Sequence, residues 1–99
     1  MSDLQFTIEV LLATYNGEPF IREQLNSLMN QSFADFKIVI RDDGSTDNTL
    51  SIIHEYQQKF SNKISILKDN KKNVGATQNF GILLQQSTAD YVFFCDQDD

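Results

Sequence analysis

Cysteine, proline and glycine are scarce, and their scarcity excludes several classes of protein. The one cysteine, Cys95, cannot form an internal disulfide, so we expect a reducing compartment and take the cytoplasm as the location. One proline and four glycines in 99 residues, with 40% hydrophobic residues, leave no fibrous or disordered bias. No repeat or linker divides the sequence, so we expect residues 1–99 to belong to one small α/β domain.

Long hydrophobic runs and clusters of positive charge are also lacking. The apolar run from Ile8 to Ala13 is interrupted by Glu9 and preceded by Asp3, which argues against a secretory signal and a membrane span. With 14 acidic and 8 basic residues, the formal net charge is -6. Nucleic acid is therefore not an expected partner, because binding to its phosphates requires clusters of Lys and Arg.

Strand-like and helix-like patterns of apolar residues alternate along the chain. Short β-branched and apolar runs predict four strands, at residues 6–14, 36–41, 64–67 and 91–95. Helices are predicted to begin at Pro19, at Asp47 as N-cap, and after Gly75. Their expected apolar faces are Phe20, Ile21, Leu25, Leu28 and Met29, then Leu50, Ile53, Tyr56 or Gln57 and Phe60, then Phe80, Leu83 and Leu84. Because intervening helices impose parallel pairing, we predict a Rossmann-like open parallel sheet with flanking helices.

The fourth predicted strand, residues 91–95, is continuously apolar, which favours burial on both faces of the sheet. Such a strand is expected to have neighbours on both sides, yet the sequence ends at Asp99, just beyond its tip. We therefore expect the natural protein to continue beyond this chain. We also expect the chain to expose apolar surface beside this strand and to self-associate.

Polar residues follow three of the predicted strands where each strand ends. Thr14 and Tyr15 end the first strand, Asp42 and Asp43 the second, and the acidic segment 96–99 the fourth. Ligands of open α/β sheets bind outside the carboxyl ends of the strands, where the strand order reverses. If the first and fourth strands are neighbours, their polar ends flank one crevice.

The acidic segment has the chemistry of a divalent-cation site. Asp96 and Asp98 are two residues apart, so in extended chain both carboxylates point to one side, about 6 to 7 Å apart. Mg2+ or Mn2+ takes one or two protein carboxylates together with water and phosphate oxygens. A cation here would join the acidic crevice to a diphosphate, which the carboxylates alone would repel.

Asp43 and Tyr15 have the chemistry to hold a nucleotide. An ionised carboxylate accepts hydrogen bonds, and a nucleotide offers a pyrimidine N3–H and ribose hydroxyls, so we choose Asp43 for this contact. Tyr15 offers an aromatic face for base stacking, and Thr14 shares its strand tip. Simpler interpretations stay open: Asp42 and Asp43 as turn residues, Tyr15 packing on the sheet edge, and residues 96–99 as an acidic tail.

These residues together give the sequence a resemblance to the family-2 glycosyltransferases of the GT-A fold. The likeness covers nearly the whole chain and is carried, in order, by residues 12–16, 30–33, 42–47 and 94–99. It implies a metal-dependent enzyme that transfers a sugar from a UDP- or dTDP-sugar to an acceptor hydroxyl with inversion. Because the likeness extends only to the nucleotide-sugar-binding half of such enzymes, the acceptor-binding part is expected to be absent.

The resemblance also implies roles for individual residues. The positions matching Ala13 and Tyr15 border the nucleobase, and the position matching Asp43 binds the base or its ribose. Asp98 is the implied ligand of Mn2+ or Mg2+, and Asp96 would act nearby, through water or on the donor sugar and ribose. The family's general base lies further downstream, so this chain is expected to bind the donor without completing catalysis.

One stretch departs from the family's pattern. Many relatives have an Arg-Asn pair where this sequence has Gln78 and Asn79, so a charged contact to the donor is missing or replaced. Lys71 or Lys72 could supply that charge, or belong to a solvated loop. Arg41 before the acidic pair, together with Asp-Gln-Asp-Asp at residues 96–99, resembles the subgroup of bacterial surface-polysaccharide synthesis, rhamnosyltransferases among them. A saccharide or lipid-linked acceptor is then implied, and peripheral membrane association of the full protein stays open.

Other functions stay open on the sequence. An aspartate-nucleophile phosphatase also places Asp-x-Asp after an apolar strand, but normally at the start of its domain. A phospho-acceptor receiver domain requires an acceptor aspartate after its third strand, where Lys68 and Asp69 stand here. A non-catalytic module that binds a nucleotide or a metal is the alternative of another class. The glycine spacing matches neither dinucleotide-binding nor P-loop patterns.

Overall fold

The computed structural model describes residues 6–31 and 35–96, which form one parallel sheet flanked by helices. The elements in chain order are β1 (Ile8–Thr14), α1 (Glu18–Met29), β2 (Lys37–Asp42), α2 (Thr49–Lys59), β3 (Ile64–Ile66), α3 (Ala76–Gln86) and β4 (Tyr91–Asp96). The strand order is β3-β2-β1-β4, and all neighbours pair in parallel. The predicted fold class and the adjacency of β1 and β4 are confirmed. No helix within the described residues is long and apolar enough to cross a membrane.

The register brings polar residues at the carboxyl ends of β1, β2 and β4 side by side. Ala13 of β1 pairs with Arg41 of β2 on one side and with Asp96 of β4 on the other. Thr14 pairs with Asp42. Because neighbouring strands lie about 4.8 Å apart, these strand tips form one continuous border, which we call the carboxyl edge.

Alternate residues of the central strands fill two apolar clusters, one on each face of the sheet. Leu12 belongs to the cluster under α1 and α2, whereas Leu11 belongs to the cluster under α3. The larger cluster contains Val10, Leu12, Ile21, Leu25, Phe36, Ile38, Ile40, Ile52, Ile53, Tyr56 and Ile64. Burial of each large apolar side chain contributes about 1.5 to 3 kcal/mol. A one-residue slip of a strand would exchange its two faces, so this packing fixes which residues reach the carboxyl edge.

The helices depart in part from their predicted apolar faces. Ile21 and Leu25 of α1 are buried as predicted, but Phe20, expected beside them, is exposed. Residues adjacent in sequence lie about 100° apart around a helix, so the side chain next to a buried one turns away from the sheet. Leu84, beside the buried Leu83 of α3, is exposed for the same reason.

The buried face of α2 is rotated from the predicted one and consists of Thr49, Ile52, Ile53 and Tyr56. Leu50 and Phe60, both expected on this face, are exposed. Asp47 is not the N-cap residue, which is Asn48. Asp47 still serves the helix, because its Oδ1 accepts the Thr49 backbone N–H at 3.0 Å. The helix therefore begins one residue later than predicted.

The prediction that β4 is buried on both faces is wrong for the described residues. Tyr91, Phe93 and Phe94 are 51%, 48% and 55% exposed. Within those residues β4 pairs with β1 alone. Phe94 packs edge-on against Phe80 of α3, with 5.3 Å between the ring centroids. A continuous apolar run indicates that side chains favour burial, but it does not say which element covers them.

Candidate functional site

The residues predicted to bind a nucleotide sugar lie on the carboxyl edge but differ in exposure. Tyr15, directly after β1, is 44% exposed. Ala13 and Thr14, within β1, are buried. Asp43, directly after β2, is 3% exposed. Asp96 is the last residue of β4 and pairs with Ala13. The strands thus bring the tips that carry these five residues together, as the sequence predicted.

Thr14 contributes its hydroxyl to the neighbouring strand. Thr14 Oγ1 donates a hydrogen bond to Asp42 Oδ1 at 2.7 Å. Ser45 donates to the same carboxylate twice, from Oγ to Oδ1 at 2.6 Å and from its backbone N–H to Oδ2 at 2.9 Å. Asp42 therefore closes the turn after β2, which agrees with its interpretation as a turn residue. The hydroxyl of Thr14 is engaged within the protein.

The loops after β1 and β2 are fastened to each other. Asn16 has a φ of 51°, in the left-handed region, and its Oδ1 accepts the Thr46 backbone N–H at 2.8 Å. The Asn16 N–H donates to Ser45 Oγ at 2.7 Å. Asparagine tolerates this conformation better than most residues. These contacts fix the turn that follows Tyr15, and Tyr15 itself lies exposed at the tip of β1.

Asp43 is held by the segment that leads into α3. Its Oδ1 accepts the Val74 N–H at 3.0 Å and Arg41 Nη1–H at 3.1 Å, and its Oδ2 accepts the Gly75 N–H at 3.0 Å. Burial by itself raises the pKa of this carboxyl. The hydrogen bonds from Val74, Gly75 and Arg41 outweigh burial and hold the pKa of Asp43 below its usual value. Asp43 is therefore an ionised acceptor.

The sequence analysis named Arg41 and Asn79 only for their place in the family's pattern and predicted for neither the part that it has in this site. Both are almost completely buried. Asn79 Oδ1 accepts Arg41 Nη1–H at 3.1 Å, and Asn79 Nδ2 donates to the carbonyls of Thr14 and Arg41 at 3.4 and 3.3 Å. Asn79 thereby joins α3 to the ends of β1 and β2. An arginine inside an apolar strand requires buried partners, and that signal could have identified Arg41.

A cavity of about 510 Å³ opens beside Asp42, between the turn after β2, one side of α2 and the segment after β3. Its basic lining residues are His54, Lys68, Lys71 and Lys72. Asp69 also lines the cavity, but it is paired with Arg41 Nη2 at 2.9 Å. The lining therefore places three lysines beside the carboxylates of Asp42 and Asp69. A larger cavity, of about 600 Å³, opens at the opposite end of the sheet around Phe36 and Lys63 and contains none of the predicted site residues.

The predicted metal site depends on residues at the end of the sequence. Asp98 lies outside the described residues. Asp96 is placed by its backbone, at the tip of β4 beside Ala13. Over residues 6–31 and 35–96, no group of three or more His, Cys, Asp or Glu side chains is arranged to hold a metal ion. A carboxylate pair at positions 96 and 98 fits Mg2+ or Mn2+ by ligand type, and the β1–β4 register puts Asp96 on the carboxyl edge.

Known proteins resemble this chain over almost its whole length. The sequence model of glycosyl transferase family 2 matches residues 9–99. The dTDP-rhamnosyl transferase RfbG of Shigella flexneri is 46% identical over 91 residues, which cover 89% of this chain and 32% of that protein. The poly(ribitol-phosphate) beta-N-acetylglucosaminyltransferase TarS of Staphylococcus aureus is 41% identical over 92 residues, which cover 91% of this chain and 16% of that protein.

A solved structure has the same fold. The crystal structure of S. aureus TarS 1-349 in complex with UDP-GlcNAc has a TM-score of 0.79 and 34% identity, covering 93% of this chain and 26% of that one. The chain spans about a third or less of the length of the curated relatives it matches. Because the family's sequence model covers nearly all of it, the chain belongs to glycosyl transferase family 2.

Proposed function

We propose that residues 1–99 form the nucleotide-sugar-binding part of an enzyme that transfers a sugar from a UDP- or dTDP-sugar to an acceptor hydroxyl with inversion. We assign this enzyme to bacterial surface-polysaccharide synthesis. The observation that carries the proposal is the position of Asp43, which is buried, accepts three hydrogen bonds and lies on the carboxyl edge that it shares with Ala13 and Asp96. The relatives support the donor class, since one is a dTDP-rhamnosyl transferase and another was crystallised with UDP-GlcNAc.

Under this proposal Asp43 also binds the nucleotide. An ionised carboxylate has about four acceptor positions. Three hydrogen bonds reach this one, from Arg41, Val74 and Gly75. The position left over suits a pyrimidine N3–H or a ribose hydroxyl. Because the carboxylate is already fixed by its neighbours, little ordering is required when the nucleotide binds.

Under this proposal the nucleotide site also includes Ala13, Thr14 and Tyr15. The exposed ring of Tyr15 stacks on the base. Ala13, with its small side chain, borders the base without filling its space. Thr14 acts through Asp42, because its hydroxyl orients that carboxylate at the same strand tip.

We assign Mn2+ or Mg2+ to Asp98, with Asp96 acting through water or on the donor sugar and ribose. The bound cation supplies charge neutralisation for the diphosphate leaving group. The chain's own contribution is to hold Asp96 at the tip of β4, next to β1, so that the donor lies across neighbouring strand tips.

We place the acceptor-binding part and the general base outside residues 1–99. The length of the relatives supports this division, since the match covers 32% of RfbG. A saccharide or lipid-linked acceptor, a cytoplasmic location and peripheral membrane association of the full protein belong to the same proposal. The chain by itself then binds the donor without turnover.

Titration with nucleoside diphosphates tests this proposal. UDP and dTDP are each added to the chain in a calorimeter, with and without Mn2+, and ADP serves as the control that lacks a pyrimidine. We expect UDP or dTDP to bind, more tightly with Mn2+ than without it, and ADP to bind more weakly. Absence of pyrimidine nucleotide binding under all conditions contradicts the proposal. Incorporation of an acyl phosphate would instead favour the phosphatase or receiver alternatives.

A further inference from the structure

Arg41 is a buried arginine on a strand whose other inward side chains are apolar. It is 1% exposed, and burial of a charged group is costly unless every hydrogen-bonding position is used. A guanidinium has five N–H donors in a fixed planar arrangement. Arg41 makes five hydrogen bonds to protein acceptors, so its donors are all used.

The five bonds of Arg41 join three separate parts of the chain. Nε and Nη2 donate to the two carboxylate oxygens of Asp69 at 3.0 and 2.9 Å, and Nη2 also donates to the Lys71 carbonyl at 2.9 Å. Nη1 donates to Asp43 Oδ1 and to Asn79 Oδ1, each at 3.1 Å. The guanidinium therefore connects the segment after β3, the tip of β2 and helix α3.

The segment from Asp69 to Gly75 is anchored at both ends. Arg41 holds its beginning through Asp69 and the Lys71 carbonyl. Its end supplies three N–H groups to Asp43, one to the backbone carbonyl and two to the carboxylate. Asn73, the first of these three donors, has a φ of 56°, in the left-handed region that asparagine tolerates better than most residues. Contacts with Arg41 and Asp43 therefore define the conformation of the segment at both of its ends.

We propose that Arg41 is a positioning residue for donor binding, which holds segment 69–75 against the tip of β2 so that Asp43 is preorganised for the nucleotide. The inference rests on the proposed function, because the proposed function assigns Asp43 to binding of the donor nucleotide. Arg41 acts through Asp43 and the segment and does not itself contact the donor.

A lysine cannot take over this role. Its ammonium has three donors around one nitrogen and cannot match both oxygens of Asp69 with the planar geometry of a guanidinium. Arg41→Lys would keep the charge beside Asp43 but lose part of the hold on the segment. Arg41→Met would lose both the positive charge beside Asp43 and the hydrogen bonds to the segment. Asp69→Asn, at a partly exposed position, would weaken the hold while leaving the Arg41–Asp43 contact in place.

The control is Arg22→Met. Arg22 also forms a bidentate pair, with Glu55, but both side chains are exposed and the pair joins α1 to α2. The Arg22→Met substitution therefore removes an arginine and a bidentate ion pair but leaves segment 69–75 and Asp43 unchanged.

Two measurements on the chain test the inference: UDP and dTDP affinity by calorimetry, and amide hydrogen exchange at residues 73–75 without nucleotide. We expect Arg41→Met to weaken binding by about tenfold or more and to speed exchange at residues 73–75 while the amides of β1 stay protected. Arg41→Lys and Asp69→Asn should give smaller changes in the same direction. Arg22→Met should change neither quantity.

The outcomes separate the inference from the proposed function. If wild type binds neither UDP nor dTDP while Arg41→Met still speeds exchange at residues 73–75, donor binding is wrong, and with it the role of Arg41 toward a donor. If wild type binds and both Arg41→Met and Asp69→Asn bind equally well, Arg41 is not a positioning residue. If Arg41→Met loses protection from amide exchange throughout the sheet, the variant is unfolded and Asp69→Asn becomes the deciding variant. Weakened nucleotide binding by Asp69→Asn, with the β1 amides still protected, supports the inference. Unchanged nucleotide binding by Asp69→Asn overturns it.

Discussion

The two ends of the carboxyl edge are built differently. Beside β2, Arg41, Asp43 and Asn79 are buried and joined by hydrogen bonds. Beside β4, Phe93 and Phe94 leave much of their rings exposed. A buried charged group is tolerated only when its partners are in place. At the β2 end, the described residues themselves supply those partners. The β4 end presents apolar surface that further contacts would cover.

Asp43→Asn is expected to have the largest effect at the β2 end. The variant leaves the buried Arg41 without this counter-charge, and breaking such a pair typically costs about 3 kcal/mol or more. UDP affinity should fall by at least about 100-fold, equivalent to roughly 2.8 kcal/mol, and thermal unfolding should begin earlier. Asp35→Asn, an exposed acid at the opposite end of the sheet, is the control. Wild-type affinity in Asp43→Asn would remove Asp43 from the nucleotide site.

Asp98→Asn tests the predicted metal ligand, which follows β4 in the sequence. Because an amide is a poorer ligand than a carboxylate for Mn2+ or Mg2+, the gain in UDP affinity on adding Mn2+ should disappear. The thermal midpoint without metal should stay that of wild type. Asp99→Asn, its sequence neighbour, is the matched control. Metal dependence that survives in Asp98→Asn contradicts the assignment.

Acid should weaken the β2 end of the carboxyl edge. The Val74 and Gly75 N–H groups and Arg41 outweigh burial and lower the pKa of Asp43, and the Arg41 hydrogen bonds lower that of Asp69. A carboxyl whose pKa is lowered by folding stabilises the fold fully above its unfolded pKa of about 4. That contribution is lost as the pH falls through the folded pKa.

The free energy of unfolding in denaturant should therefore be steady near neutral pH and decline below about pH 4. Asp69→Asn should show a shallower decline, because one of these carboxyls is gone. A wild-type profile that stays flat down to about pH 2 would show that these carboxylates contribute nothing to stability.

The exposed aromatic surface of β4 predicts self-association of the chain. Phe93→Ser should reduce the weight-average mass in sedimentation at high concentration, because the surface left exposed becomes smaller and more polar. Phe20→Ser changes an equally large exposed ring on α1 and should have no effect. A wild-type chain that is monomeric at high concentration contradicts this prediction.

The smallest effect is expected at a surface ion pair. Arg22 and Glu55 are bound as closely as Arg41 and Asp69, with 2.9 Å between the charged atoms in each pair. Exposed pairs contribute little because water competes for both charges. Glu55→Gln should leave the thermal midpoint almost unchanged, whereas Asp69→Asn should lower it measurably. Equal shifts would mean that burial of Arg41 does not strengthen its contacts.

Much of the fold followed from the sequence because alternation of strands and helices is a local pattern. The four strands and the adjacency of β1 and β4 are confirmed. The rotated face of α2 was not predicted, because Leu50 is as apolar as its buried neighbours and only packing against the sheet distinguishes them.

The hydrogen-bond network of Arg41 was beyond local reasoning. Its partners Asp69 and Asn79 lie 28 and 38 residues away along the chain. A charged residue in an apolar strand indicates that partners exist, but their identity depends on how the segment after β3 returns across the sheet. The metal assignment to Asp98 stays a prediction, since that residue lies outside the part of the chain that the structure describes.

The most direct measurement is a map of backbone amide shifts in the nuclear magnetic resonance spectrum as UDP and Mg2+ are added to the chain. Donor binding at the carboxyl edge predicts that the largest shifts fall at Tyr15, Asp43 and residues 73–75, with residues 96–99 responding in the presence of metal. Shifts centred instead on Phe36 and Lys63, around the cavity at the opposite end of the sheet, would contradict the account.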